Sequence, residues 1–89
     1  SSAASDVYKR QGKFTNRERR ELEEIPVRIA ELEEEQAALA AKLQDAAFII
    51  ANPGEIPAIE ARLAEIERED AGLFERWAEL DARREAGAV

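Results

Sequence analysis

The stretch LEEIPVRIAELEEEQAALAAKL, residues 22–43, decides the fold. Its large apolar residues recur at alternating intervals of three and four, and Gln36 occupies the one vacant position. These residues are Leu22, Ile25, Ile29, Leu32, Leu39 and Leu43. Because this spacing places them along one side of a helix, it is typical of the a and d positions of a coiled coil. We therefore predict a long helix whose apolar stripe packs on a partner.

A second stretch repeats the pattern, with Asp70 at its vacant position. Its apolar residues are Ile56, Ile59, Leu63, Ile66, Leu73, Trp77 and Leu80. The intervening Asn52-Pro53-Gly54-Glu55 indicates a turn, or the start of the second helix with Asn52 as its cap. A connection this short makes the two helices antiparallel neighbours. The sequence thus predicts an all-α fold, a two-helix antiparallel coiled-coil hairpin over residues 15–89, with helices at about 15–47 and 55–86 and a tip at about 45–57.

The first helix is predicted to begin at a capping box, Thr15-Asn16-Arg17-Glu18. In such a box the threonine oxygen accepts a bond from a free backbone N–H, and the glutamate reaches back to the cap. Residues 1–14 are interpreted as a flexible, basic N-terminal arm, and we expect the small polar residues 1–6 to be disordered.

Two registers of the helix pair remain open. If the first helix ends near Asp45, Ile25 faces Trp77, whereas if it continues through Ile50, Leu32 faces Trp77. The flanking charges favour the second register, because Lys42 then approaches Glu69 and Glu35 approaches Arg76. Such exposed pairs contribute only about 0.2–0.5 kcal/mol each, so they are a weak guide.

The composition excludes most catalytic chemistry. The 89 residues include no cysteine, histidine or methionine. Thiolate or imidazole metal sites, His-based triads and disulfides are therefore excluded, and we predict that the chain is not an enzyme. The lack of methionine favours a piece cut from a longer chain. No apolar run approaches the ~20 residues of a membrane span, so we expect a cytoplasmic, monomeric protein without membrane contact.

The charge is unevenly distributed along the chain. Residues 1–20 contain six basic and two acidic residues, a net charge of +4, whereas residues 21–89 contain seven basic and eighteen acidic residues, a net charge of −11. Cations neutralise phosphates and aromatic rings stack on unpaired bases, so the basic arm is a candidate nucleic-acid-binding site. The candidate residues are Tyr8, Lys9, Arg10, Lys13, Phe14, Arg17, Arg19 and Arg20.

Two residues of the helical stretches are expected to have structural roles. Pro26 lies inside the first helix, where a proline removes a hydrogen bond and bends or splits the helix; it is either a hinge or a local distortion. Trp77 occupies a core position and is predicted to be a packing anchor rather than a base-stacking platform.

Other residues interrupt the pattern of apolar and polar positions. Gln36 and Asp70 are polar at core positions, where we expect them to specify register and partner. Phe48-Ile49-Ile50 lie near the predicted tip. They either fold back over the end of the helix pair or form an exposed contact for a partner.

Three separated segments resemble one protein family. Residues 13–26, KFTNRERRELEEIP, resemble the entry of the C-terminal domain of Uup-type ABC-F ATPases, whose pattern is approximately K-[LF]-[ST]-x-x-x-[QR]-x-E-L-E-x-[LI]-P. Residues 43–48, LQDAAF, resemble the tip of that domain, although many relatives have proline where this chain has Ala46. Residues 73–80, LFERWAEL, resemble its closing E-R-W-x-x-L element.

The resemblance implies a larger cytoplasmic parent protein with two tandem ATP-binding cassettes, which bind ATP and magnesium, and no membrane domain. It also implies DNA binding by this domain, with links of the parent to ribosomes, DNA repair and other DNA transactions. The phosphate-binding loop G-x-x-x-x-G-K-[ST] is absent from these 89 residues, so we expect no cofactor here. DNA is the expected partner, with RNA or the ribosome as a further possibility. The alternative function is a structural or protein-interaction hairpin that docks on the cassettes or the ribosome.

Overall fold

The computed structural model describes residues 14–87, which form three helices and one turn. Helix α1 spans Asn16–Gln44, α2 spans Ala46–Ala51, a 3₁₀ turn covers Pro53–Glu55, and α3 spans Ile56–Gly87. No strand occurs within that range, so the predicted all-α class is confirmed there. Most of the predicted arm, residues 1–13, lies outside the described residues.

The capping box at the start of α1 is confirmed. The backbone N–H of Glu18 donates to Thr15 Oγ1 at 3.1 Å, and the backbone N–H of Thr15 donates to Glu18 Oε1 at 3.1 Å. Two donors that the helix itself leaves unpaired are thereby satisfied. This reciprocal pair sets the residue at which α1 begins.

The other end of α1 is set by Asp45. This residue has an extended backbone, and its carboxylate accepts bonds from the N–H groups of Ala47 and Phe48 at 3.1 and 3.3 Å. An aspartate in this position caps the start of a new helix, so the chain turns into α2 instead of prolonging α1. We predicted a continuous helix to about residue 47, whereas α1 ends at Gln44.

The turn after α2 also differs from one of the predicted alternatives. Asn52 does not cap α3, because its side-chain amide donates backwards to the Phe48 carbonyl at 3.2 Å. Pro53 begins the 3₁₀ turn, and α3 follows at Ile56. The fixed φ of proline suits this first position, where its missing N–H costs nothing.

Pro26 does not split α1, which remains one helix from Asn16 to Gln44. The proline is exposed. Its ring removes one hydrogen bond from the ladder, yet the apolar stripe on both sides of it still packs on α3. Of the two predicted effects on the backbone, a bend or a split, the split is therefore wrong.

The two long helices pack side by side and run in opposite directions. Their pairing is read from three ion pairs, in which residue numbers fall on α3 as they rise on α1: Glu21 with Arg76, Arg28 with Glu69, and Glu35 with Arg62. The buried side chains between the helices are Leu22, Ile25, Leu32, Ile59, Ile66 and Leu80.

The register is the one expected for a first helix that ends near Asp45. Leu22, Ile25 and Leu80 form one buried cluster, and Ile29 and Leu73 pack against it. The register that the charges favoured, with Leu32 opposite Trp77, is therefore wrong.

The flanking charges favoured the wrong register because the charged residues pair differently in the structure. Glu35 bonds to Arg62 and Glu69 bonds to Arg28, so neither glutamate takes the partner that the rejected register required. Each arginine reaches diagonally to a carboxylate on the facing helix.

Trp77 is less buried than predicted. Its exposed fraction is 37%, against 4% for Ile25 and 0% for Leu80. Trp77 therefore occupies a core position of the repeat but lies at the edge of the helix pair. It is less buried than we predicted for a packing anchor. Asp70, one repeat earlier on α3, is half-buried, and its Oδ1 has no hydrogen-bond partner among residues 14–87.

Candidate nucleic-acid interface and the flanks of the helix pair

Three of the predicted site residues lie on the first turns of α1. Arg17, Arg19 and Arg20 are exposed, and none of their guanidinium groups forms an ion pair with a residue between 14 and 87. Cations at a helix N-terminus are unfavourable for the helix dipole, so the dipole does not explain this cluster, although the charge of Arg17 contributes to the lowered pKa of the neighbouring Glu21. Tyr8, Lys9, Arg10 and Lys13 lie outside the described residues.

Phe14 has a structural contact that the sequence did not indicate. Its half-buried ring packs against the cluster of Leu22, Ile25 and Leu80. The aromatic ring thereby closes the end of the helix pair where the chain enters α1.

Sequence reasoning missed two cations that the fold brings to the same end. Arg83, near the end of α3, places its Nε 2.5 Å from Glu18 Oε2, and the neighbouring Arg84 pairs with Asp81. Burial raises the pKa of Glu18, but bonds from Thr15 and Arg83 outweigh it and leave this pKa below its usual value. Had the correct register of the helix pair been predicted, it would have placed Arg83 and Arg84 at this end of the molecule.

One side of the helix pair carries matched charges, and we name it the paired flank. It consists of Glu21, Arg28, Glu35, Arg62, Glu69 and Arg76. Each arginine donates two bonds to one carboxylate, with Nε–oxygen distances of 2.7, 2.6 and 2.6 Å. Such bidentate bonds are stronger and more directional than single ones.

The carboxylates of the paired flank respond to their partners. The bonds from Arg76 lower the pKa of Glu21 and those from Arg62 lower the pKa of Glu35, in each case against a smaller opposing effect of burial. The bonds from Arg28 lower the pKa of Glu69 in the same way. Each glutamate is therefore held in its ionised form by a partner on the other helix.

The opposite side carries no such pairs, and we name it the open flank. It consists of Pro26, Glu33, Glu60, Glu67, Phe74 and Trp77, all of which are exposed. Its three glutamates form no ion pair within the part of the chain that the structure describes. This side therefore combines unpaired negative charge with two exposed aromatic rings.

The tip presents a further apolar surface. Phe48 is half-buried, and Lys42 Nζ lies 5.5 Å from the centroid of its ring, within the range of a cation–π contact. Ile49 and Ile50 are 37% and 80% exposed. Of the two predicted alternatives, folding back therefore describes Phe48 and exposure describes Ile50.

Residues 14–87 contain neither a metal-binding cluster nor a membrane-spanning helix. No group of three or more acidic, histidine or cysteine side chains in that range is arranged to hold a metal ion. None of the helices there combines the length and the apolar character needed to cross a membrane.

Comparison with known proteins supplies one match. The family model for the ABC transporter C-terminal domain matches residues 13–82. This range includes all three helices except the end of α3. No curated protein and no solved structure matches the chain.

Proposed function

Because the chain belongs to the ABC transporter C-terminal domain family, we propose that it is a coiled-coil hairpin of a Uup-type ABC-F ATPase that binds DNA through its basic arm. The family itself makes the chain a helical, non-catalytic accessory region of an ABC protein. The parent ATPase, its cytoplasmic location and DNA as partner are parts of the proposal.

The observation that carries the proposal is the group of exposed arginines at the start of α1. Arg17, Arg19 and Arg20 lie where the helix dipole disfavours cations, and no acidic side chain among residues 14–87 pairs with them. An external phosphate backbone would neutralise them. Five further candidates precede them in the arm, and the acidic remainder of the chain confines any polyanion to this end.

Fluorescence anisotropy of labelled DNA, titrated with the 89-residue chain at several salt concentrations, tests the proposal. The logarithm of the affinity should fall linearly with the logarithm of salt, with a slope of about 0.7–0.9 for each phosphate contact. Replacing Lys9, Arg10, Lys13, Arg17, Arg19 and Arg20 by alanine should abolish binding. RNA of the same sequence, titrated in parallel, distinguishes the two nucleic acids.

A matched pair of variants separates the arm from general charge effects. Arg19→Ala with Arg20→Ala removes two charges at the proposed site, whereas Lys42→Ala with Arg68→Ala removes two exposed charges elsewhere. We expect the first variant to weaken binding and reduce the salt slope, and the second to change neither. Equal losses in both variants, or no binding of the unaltered chain at low salt, would contradict the proposal.

The second candidate function is docking on the ATPase cassettes or the ribosome. The observation in its favour is the exposed tip, where Ile50 is 80% exposed and Ile49 is 37% exposed. NMR shift mapping with the cassettes distinguishes this function, because the shifts should then centre on α2. Shifts confined to the first turns of α1 on adding DNA would favour the first candidate.

A further inference from the structure

The open flank presents two aromatic rings to solvent. Phe74 and Trp77 are 52% and 37% exposed. They lie three residues apart on α3 and therefore share one face of the helix. Aromatic side chains of this size contribute much of the binding energy where they are buried against a partner, so their joint exposure calls for a physical reason.

The rings are exposed because α1 offers little cover there. Pro26 lies about 140–160° around α1 from Glu21 and Arg28, given about 100° per residue. Phe74 lies equally far around α3 from Arg76 and Glu69, which are the ion-pair partners of Glu21 and Arg28. Pro26 and Phe74 therefore lie on the side opposite the paired flank, and the short proline ring leaves the larger rings uncovered.

Between the rings and the tip, the open flank carries carboxylates only. Glu60 and Glu67 precede Phe74 by fourteen and seven residues, so they lie in one row along α3. Glu33 follows Pro26 by seven residues on α1 and lies in the corresponding row. The open flank thus has an aromatic end and, towards the tip, a row of carboxylates without an ion-pair partner among residues 14–87, whereas Arg19 and Arg84 lie beyond the rings, seven residues from Pro26 and from Trp77.

This combination selects the kind of occupant. Nucleic acid is repelled by the carboxylates, and a second copy of the chain would place like charges against each other. A segment with an apolar stripe and flanking lysines or arginines satisfies both features at once. Electrostatic complementarity of this kind steers encounter and sets the orientation of the bound segment.

We propose that the open flank is a docking surface for a basic amphipathic segment of a partner protein. The apolar side of the segment covers Phe74 and Trp77, and its cations contact Glu33, Glu60 and Glu67. The helix-in-groove mode of recognition uses the same division between apolar anchors and charged edges. The proposal does not rest on nucleic-acid binding, which concerns other residues.

Trp77 makes the test direct, because it is the only tryptophan of the chain. The probe is a synthetic peptide of about 21 leucine and lysine residues patterned for a helix with one apolar face. A peptide with glutamate for each lysine serves as its counterpart. Binding of the basic peptide should shift the emission of Trp77 to the blue in a saturable way, and the acidic peptide should have no effect.

Two matched variant pairs locate the surface. Phe74→Ala should weaken binding at least tenfold, whereas Val27→Ala, which truncates another exposed apolar side chain, should change it less than twofold. The triple variant Glu33→Gln, Glu60→Gln and Glu67→Gln should also weaken binding at least tenfold. The control triple Glu24→Gln, Glu34→Gln and Glu75→Gln removes the same charge from other exposed positions and should have less than a twofold effect.

Several results would overturn the proposal. They are the absence of a saturable shift, equal losses in the two triple variants, or self-association in sedimentation that Phe74→Ala abolishes, which would make a second copy the occupant. A change in Trp77 emission on deleting residues 1–13 would likewise replace the partner with the chain's own arm. Circular dichroism of each variant confirms that the helices are retained.

Discussion

The paired flank and the open flank run along the same two helices but use their charges differently. On the paired flank each glutamate has a bidentate arginine from the facing helix, as in Arg62 with Glu35 at 2.6 and 2.7 Å. On the open flank the carboxylates of Glu33, Glu60 and Glu67 have no ion-pair partner among residues 14–87, and the flank carries two aromatic rings. One flank therefore holds the helices together in a given register, and the other is available for contact with something else.

The difference follows from where the buried side chains lie. Leu32, Ile66 and Leu80 have exposed fractions of 0%, 1% and 0%, whereas Trp77, also in the core pattern, reaches 37%. The contact between the helices is thus shifted towards the paired flank. A regular core pattern specifies which side of a helix meets its partner, but not how far the partner covers each edge.

The largest effect is expected from truncating the centre of the contact. Leu32→Ala should lower the free energy of unfolding by about 2–5 kcal/mol, because it leaves a cavity at a fully buried position. Phe74→Ala on the open flank should change it by less than about 0.5 kcal/mol, since the ring is mostly exposed. Urea unfolding followed by circular dichroism measures both. Similar losses would mean that the open flank is also part of the core.

Asp70 should give a gain in stability. Its buried Oδ1 has no hydrogen-bond partner, and an unsatisfied buried polar atom costs about 1–3 kcal/mol. Asp70→Leu should therefore raise the free energy of unfolding by about that amount, as measured by the same urea experiment. Asp70→Asn keeps a polar group in place and is the control, with a smaller gain. A lower stability for the leucine variant would show that the carboxylate has a favourable interaction.

Equal charge changes on the two flanks should have opposite effects. Gln at Glu21, Glu35 and Glu69 removes the carboxylates that the arginines bind, so the melting temperature should fall. Gln at Glu33, Glu60 and Glu67 removes unpaired like charges, so the melting temperature should stay the same or rise. Calorimetry at low salt compares the two triple variants. A fall of equal size in both would remove the distinction between the flanks.

The helices and the start of α1 were predictable because their signals are local. The three-and-four spacing and the capping box at Thr15 each act within a few residues, and both are found in the structure. The register depended instead on one side chain, since the carboxylate of Asp45 ends α1 by capping Ala47 and Phe48. The flanking charges had favoured continuation through Ile50, and the cap at Asp45 overrides that weak preference.

The candidate site was predictable only in part. Unpaired charge is a property of the fold, and the three arginines of α1 became distinctive once Arg76 and Arg83 were seen to have glutamate partners. The open flank was not predictable, because Trp77 fits the core pattern as well as Ile25 does. Pro26, the small residue on the same flank of α1, was considered only for its effect on the helix backbone.

Acid should weaken the paired flank selectively, and this is the smallest effect expected. Arginine partners lower the pKa values of Glu21, Glu35 and Glu69 below the reference value of 4.5, so the folded chain binds fewer protons than the unfolded chain near that pH. The stabilisation is therefore complete above the unfolded pKa and is lost as the pH falls through the lower folded pKa values.

Urea midpoints at pH 7, 4 and 3 measure this loss. The unaltered chain should lose stability on acidification, and the variant with Gln at Glu21, Glu35 and Glu69 should lose less, because it lacks the carboxylates whose protonation is responsible. The variant with Gln at Glu33, Glu60 and Glu67 retains the paired carboxylates and should keep the acid sensitivity of the unaltered chain. If the two triple variants respond alike, the arginine bonds do not distinguish the flanks in solution, and the charge asymmetry between them has no energetic consequence.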